Sequence, residues 1–276
     1  YVGQIFNINP AQSISYNGHL FAGAKNLNIL NNYKKTLSIP RFNDAIDWGW
    51  FSFLTKPISH AINWFYGYVG NFGLAIIAFT ILMRLILFPL AHISFKSMAK
   101  MKKLQPEMKQ LKETYPDDKQ KMQKELMALY KREGANPVAG CLPIMVQIPI
   151  FFSLYKVLFV TIEMYHAPFY GWIHDLSERD PTSIFNLFGL IPWDPPSFLL
   201  IGAWPVAMGI SMWIQQKLNP TPPDPIQAKI FMFLPIFFTF ILAPFACGLV
   251  IYWVFNNLFS MAQQILIKQR MKKEKK

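Results

Sequence analysis

Five apolar stretches dominate the chain, at residues 70–91, 136–160, 198–217, 230–246 and 248–267. Each is close to the length a helix needs to cross the roughly 30 Å hydrocarbon core of a bilayer. None contains an Asp or Glu. A composition of 53% hydrophobic and 16% aromatic residues against 15% charged suits lipid better than a soluble core. Backbone groups in lipid must be satisfied within their own segment, so the spans are read as helices. The expected fold class is an all-α polytopic membrane protein with five transmembrane helices.

The net charge of +12 would suit a nucleic-acid ligand if it were spread evenly, but it is segregated along the chain. Residues 92–135 carry eleven Lys or Arg and the tail 268–276 carries six, whereas 161–197 has Arg179 against Glu163, Asp175, Glu178, Asp180 and Asp194. The positive-inside rule then places 92–135, 218–229 and 268–276 in the cytoplasm, and 1–69 and 161–197 outside. Residues 1–41 are polar and read as the end of a β-rich extracytoplasmic domain, with a short helix near Lys25–Lys35. The chain opens at Tyr1 without a signal sequence, which reads as part of a longer precursor.

Within 42–69, Leu54, Ile58, Ala61, Ile62, Phe65 and Val69 recur at helical spacing, and Trp48, Trp50, Trp64, Tyr66 and Tyr68 add interfacial aromatics. This predicts an amphipathic helix lying on the outer surface. In 92–135, the stripe Met98, Met101, Leu104, Met108, Leu111 and a second stripe, Met122, Leu126, Leu129, flank Tyr115-Pro116-Asp117-Asp118. That pattern predicts a helical hairpin, with Pro116 ending one arm and an Asp capping the other. Its mixed charged faces suit anionic lipid, ribosomal RNA or an acidic protein, and equally suit plain solvation.

The most demanding residue is Arg84, inside the first span. A cation at that depth costs several kcal/mol and must face water or a partner. The spans supply no acidic side chain for it. Thr80 lies one turn earlier on the same face, and Gln147, Ser211, Gln215, Asn256, Ser260, Gln263 and Gln264 add polar positions to the other spans. Singly, such residues commonly hold helix pairs together. Collectively they predict a hydrated recess within the bilayer. There is no G-x-x-x-x-G-K-[ST], G-x-S-x-G or H-E-x-x-H, and the five histidines are scattered. Neither an enzyme, a cofactor nor a metal is expected. Cys141 and Cys247 fall on opposite sides of the predicted membrane, which excludes a disulfide.

Several motifs together carry a family resemblance. Gly70-Asn71-Phe72-Gly73, Thr80-Ile81-Leu82-Met83-Arg84, Phe88-Pro89-Leu90, Asn136-Pro137, Gly140-Cys141-Leu142-Pro143, Gln147-Ile148-Pro149, Trp172-Ile173-His174-Asp175-Leu176-Ser177 and Gly248-Leu249-Val250-Ile251-Tyr252-Trp253 resemble the YidC, Oxa and Albino family of membrane insertases over about 42–270. The Gram-negative type is implied, lacking its first span and most of its periplasmic domain, of which 1–41 would be the end.

The resemblance implies a five-helix core around a positively charged groove. It would move nascent hydrophobic segments into the bacterial inner membrane, alone or with the Sec translocon, and assist their folding. Arg84 and Thr80 match groove residues; Trp253 stands where some relatives have Tyr. Gln147, Asn256 and Ser260 are the further groove candidates. The candidate cytoplasmic docking residues are Lys100, Lys102, Lys103, Asp117, Asp118 and Lys119. Expected partners are nascent membrane proteins, the ribosome, the Sec translocon, the signal recognition particle receptor and the phospholipid bilayer. The residues alone leave two rivals: a secondary transporter or channel with an anionic substrate at Arg84, and a passive assembly scaffold.

Overall fold

The fold is that of a computed structural model, which describes residues 7–15, 18–116, 118–136, 142–193, 195–196, 199–219 and 225–273. Regular structure among them is helical: α1 (Leu27–Thr36), α2 (Ser52–Val69), α3 (Phe72–Ile86), α4 (Phe88–Thr114), α5 (Lys119–Arg132), α6 (Leu142–Val160), α7 (Ala203–Leu218), α8 (Pro225–Leu242) and α9 (Cys247–Lys273). Among the described residues before α1 no strand forms, and most of the alternating stretch 4–8 behind the expected β remnant lies outside the described residues. Instead Asn26 caps α1 through its side chain, which accepts from Asn28 N at 2.9 Å and Ile29 N at 3.1 Å, and Leu27 and Leu30 pack on Ile46 and Trp48.

The corner from α2 to α3 is built from Gly70-Asn71. Gly70 adopts φ +67°, a left-handed value that costs glycine nothing, and closes α2 onto Tyr66 O. Asn71 then caps α3 by accepting from Leu74 N at 3.1 Å. The corner turns α3 back along α2, whose Ile58 and Ile62 enter the main core with Ile76, Phe79, Leu154, Leu249 and Tyr252.

The first predicted span is not one straight helix. Its chain breaks at Leu87, and α4 leaves α3 at a bend of 64°. Pro89 explains the break: it has no N–H for the carbonyl of Leu85, and its ring would crowd that carbonyl. The last residues of the expected span and the first hairpin arm therefore form one continuous helix, α4. The hairpin itself follows its apolar stripes, with Leu104, Met108, Leu129 and Tyr130 buried between the arms. Asp118 caps α5 by accepting from Lys121 N at 2.9 Å. Ser97 Oγ donates to Asn136 O at 2.8 Å, and Arg132 pairs with Glu107 at 2.9 Å, so the hairpin is clipped at its base and along its side.

Helix α9 is the centre of the bundle, packing on α3, α4, α6 and α7, while α8 packs mainly on α7. By length and composition α9 qualifies alone as a membrane-crossing helix, and α3 with α4 qualifies only as a bent pair. Helices α6 and α8 have 19 and 18 residues, which is about 27–29 Å of rise. Their outward faces are apolar: Phe152 and Phe159 on α6 and Phe233, Ile236, Phe237 and Phe240 on α8 are exposed. Such a surface belongs in lipid.

Helix α8 is held against α7 by a close approach, since a Cβ added at Gly209 would overlap the Thr239 side chain. Gly209→Leu is therefore expected to destabilise the bundle by about 2–3 kcal/mol through overpacking, read as a lower midpoint of thermal unfolding in detergent. An unchanged midpoint would show that α8 is not seated there.

The connection between α6 and α7 folds back on the bundle as a cap. Asp180, 3% exposed, accepts from Trp172 Nε1 at 3.1 Å, from Thr182 N and Oγ at 3.0 and 2.7 Å, and from Trp204 N at 2.9 Å. The last bond satisfies an orphan N–H in the first turn of α7, and the carboxylate also suits the positive end of that helix. Two residues earlier, Glu178 O accepts from Cys247 N at 2.6 Å, and Leu176 O accepts from Gly248 N at 2.9 Å. One loop thus closes the N-termini of both α7 and α9. Cys247 is buried beneath it as a free thiol, while Cys141 lies outside the described residues.

Candidate functional site

Arg84 sits in the last turn of α3, three residues before the break. Its Nη2 donates to the main-chain carbonyl of Asn256 on α9 at 3.0 Å. Its Nε is buried with no protein partner. The sequence leaves this cation to water or a partner; one of its N–H groups meets a main-chain carbonyl, a partner that no side-chain inventory reveals. Lys156, a second cation in an apolar stretch, is satisfied differently: it pairs with Asp47 at 2.6 Å, ahead of α2. That pairing, together with the Gly49 N–H, holds the Asp47 carboxyl below the usual carboxylate range. Arg84 has no such carboxylate among the described residues.

Three further residues complete the seat. Gln147 on α6 donates through Nε2 to the hydroxyl of Tyr252, one turn before Asn256 on α9. Gln263 Nε2 donates to the carbonyl of Arg84 itself at 2.8 Å. Thr80 lies one turn earlier but is 1% exposed, with its hydroxyl donating to Ile76 O at 2.7 Å. It lines the seat without offering a free hydroxyl.

The polar residues of α9 divide into two stripes. Tyr252, Asn256 and Gln263 face the seat of Arg84. Asn257, Ser260 and Gln264 share the other stripe, at i, i+3 and i+7, and meet α7: Asn257 Nδ2 donates to Ser211 Oγ at 2.9 Å, Gln215 Nε2 to Ser260 Oγ at 3.2 Å, and Gln264 Nε2 to Leu218 O at 3.3 Å. The structure therefore gathers Arg84, Thr80, Gln147 and Asn256, and places Ser260 in the seam with α7. Trp253 also stands apart, edge-on to Phe151 at 4.9 Å and stacked near Phe238 at 6.1 Å. Tyr252 and Gln263 are the site residues that sequence reasoning did not select. Their spacing from Asn256 by one and two turns was the available signal, but it does not say which stripe meets α3.

Of the docking candidates, Lys102 and Lys103 are exposed on α4, and Lys100 donates to Gly134 O at 3.2 Å across the hairpin base. Asp118 serves as the cap of α5, and Lys119 is its first residue. Asp117 lies outside the described residues.

The 60Kd inner membrane protein family matches residues 64–275. The chain belongs to that family. A second match, to the YidC periplasmic domain, covers residues 1–61. Among similar proteins, the membrane protein insertase YidC of Pelagibacter ubique is 65% identical over 264 residues, 96% of this chain and 47% of its own length. The insertase of the same name from Brucella suis is 56% identical over 95% of this chain and 43% of its own length. That of Rickettsia conorii is 54% identical over 98% and 48%. The chain thus spans about half the length of the curated relatives it matches. An active YidC insertase crystal structure with the first transmembrane domain resolved is similar at a TM-score of 0.60 and 27% identity, covering 84% of this chain and 49% of that one. The resemblance read from the motifs and the all-helical polytopic fold agree with these matches.

Proposed function

We propose that this member of the 60Kd inner membrane protein family is a membrane protein insertase and chaperone, working by positioning rather than by catalysis. The observation that carries the reading is the half-buried guanidinium of Arg84, whose Nη2 meets a neutral carbonyl and whose buried Nε has no partner among the described residues. An acidic group entering beside it would form a charge-assisted bond, stronger than the carbonyl bond it displaces. The polar tail of a nascent segment would find part of its lost hydration replaced there. The apolar segment would then partition into lipid along the exposed faces of α6 and α8, at roughly 25 cal/mol per Å² removed from water.

In this reading 1–69 and 161–197 are periplasmic, the hairpin and C-terminus are cytoplasmic, and the spans are 70–91, 136–160, 198–217, 230–246 and 248–267. The groove is formed by Arg84, Thr80, Gln147 and Asn256, with Ser260 and Trp253 beside it. The ribosome, the signal recognition particle receptor and the Sec translocon are the partners, the first two meeting the basic hairpin. A photo-crosslinker at Gln147, in the full-length protein in vesicles with a ribosome-attached single-span substrate, tests it. Crosslinks to the emerging segment at Gln147, exceeding those from exposed Ile29 on α1, which lies off the proposed path, are expected. Equal or absent crosslinking at Gln147 while the substrate inserts would overturn the reading.

A further inference from the structure

The bend between α3 and α4 leaves the carbonyl of Arg84 without the N–H that a continuous helix would bring to it from Phe88. A terminal helix carbonyl inside a membrane must be satisfied by something else. Gln263 supplies that bond, Nε2 to Arg84 O at 2.8 Å, from a side chain 8% exposed. Seven residues earlier on the same face of α9, the carbonyl of Asn256 receives the Arg84 side chain at 3.0 Å. Arg84 is therefore gripped twice by one stripe of one helix. Its main chain is held by Gln263 and its guanidinium by Asn256.

From this reciprocal clasp we infer that Gln263 is a positioning residue, which fixes the α3–α4 bend and thereby sets the depth and direction of the Arg84 guanidinium. It acts through the main chain of Arg84 and touches no substrate. The geometry is specific to its stripe. Gln264, the next residue and of the same chemistry, is turned to α7, where it donates to Leu218 O and Asn219 Oδ1, each at 3.3 Å. The structural part of the inference stands on its own, and its functional consequence rests on the insertion reading above.

The test compares Gln263→Met, which keeps the side chain's length but has no donor, with Gln264→Met in the full-length protein in nanodiscs and vesicles. Spin labels at the exposed positions Ile81 and Lys109, with every native cysteine replaced by alanine, report the bend as a distance. Gln263→Met is expected to shift or broaden that distance, and Gln264→Met to leave it unchanged. Insertion of a substrate with an acidic tail is expected to fall about tenfold in Gln263→Met, the scale of one unmade buried hydrogen bond. The same substrate with a neutral tail should be unaffected, and Arg84→Ala combined with Gln263→Met should be no worse than Arg84→Ala alone. An unchanged distance in Gln263→Met overturns the inference, as does an equal loss for both substrates with a fall in folded protein. A shifted distance with both substrates inserted normally keeps the clasp and removes the insertion reading.

Discussion

Replacing Arg84 with alanine is expected to reduce insertion of an acidic-tailed substrate by about tenfold to a hundredfold, the worth of one charge-assisted hydrogen bond in a poorly solvated site. A neutral-tailed version of the same substrate should insert almost as before. The contrast follows from what Arg84 touches now: a neutral carbonyl, and no carboxylate among the described residues. The structure itself should tolerate the change, because removing a half-buried cation that lacks an ion-pair partner relieves a desolvation cost rather than orphaning an opposite charge. Arg84→Lys keeps the charge but loses the planar fork, and should retain part of the effect. Protease protection in vesicles reads each protein with each tail. Equal insertion of both tails by Arg84→Ala would remove the role of this cation, and saturable flux of a small anion abolished by the same change would favour a transporter.

The second large effect belongs to Asp180. Asp180→Ala removes the acceptor for Trp172 Nε1, Thr182 N, Thr182 Oγ and Trp204 N together. The expected loss is about 3 kcal/mol, combining a helix cap with hydrogen bonds to a charged group. Asp180→Asn should fall between, because its amide keeps one acceptor oxygen but turns a donor toward an N–H. The same loop covers Cys247, so in a Cys141→Ser background the Cys247 thiol should react with a maleimide in Asp180→Ala well below the unfolding temperature. In the parent protein it should stay protected. A protected thiol and an unchanged thermal midpoint in Asp180→Ala would show that the loop is held by other contacts.

Much of the architecture is local chemistry, and that part was readable from residues in order. The apolar runs mark the helices, Pro116 and Asp118 mark the hairpin turn, and the amphipathic pattern before Val69 marks α2. The N-terminal segment and the first span show where local reading stops. A strand exists only with a partner beside it, so the short alternation at 4–8 cannot by itself say what it pairs with. Pro89 signals a break in an apolar run, yet membrane helices often carry a proline with only a slight kink. The size and direction of the bend come from packing against α9.

The candidate site divides in the same way. The sequence by itself determined that one arginine lies in an apolar segment without an acid to pair with, and that α9 carries enough polar residues to meet it. Only the tertiary structure decided that Asn256 meets Arg84 through its main chain, that Gln263 rather than Gln264 holds the Arg84 carbonyl, and that Ser260 turns to α7. The physical reason is range. Helical periodicity is a property of neighbours three or four residues apart, whereas the rotation of α9 against α3 joins positions 172 and 179 residues apart. That rotation is set by the whole packed interior, in which every side chain constrains the rest.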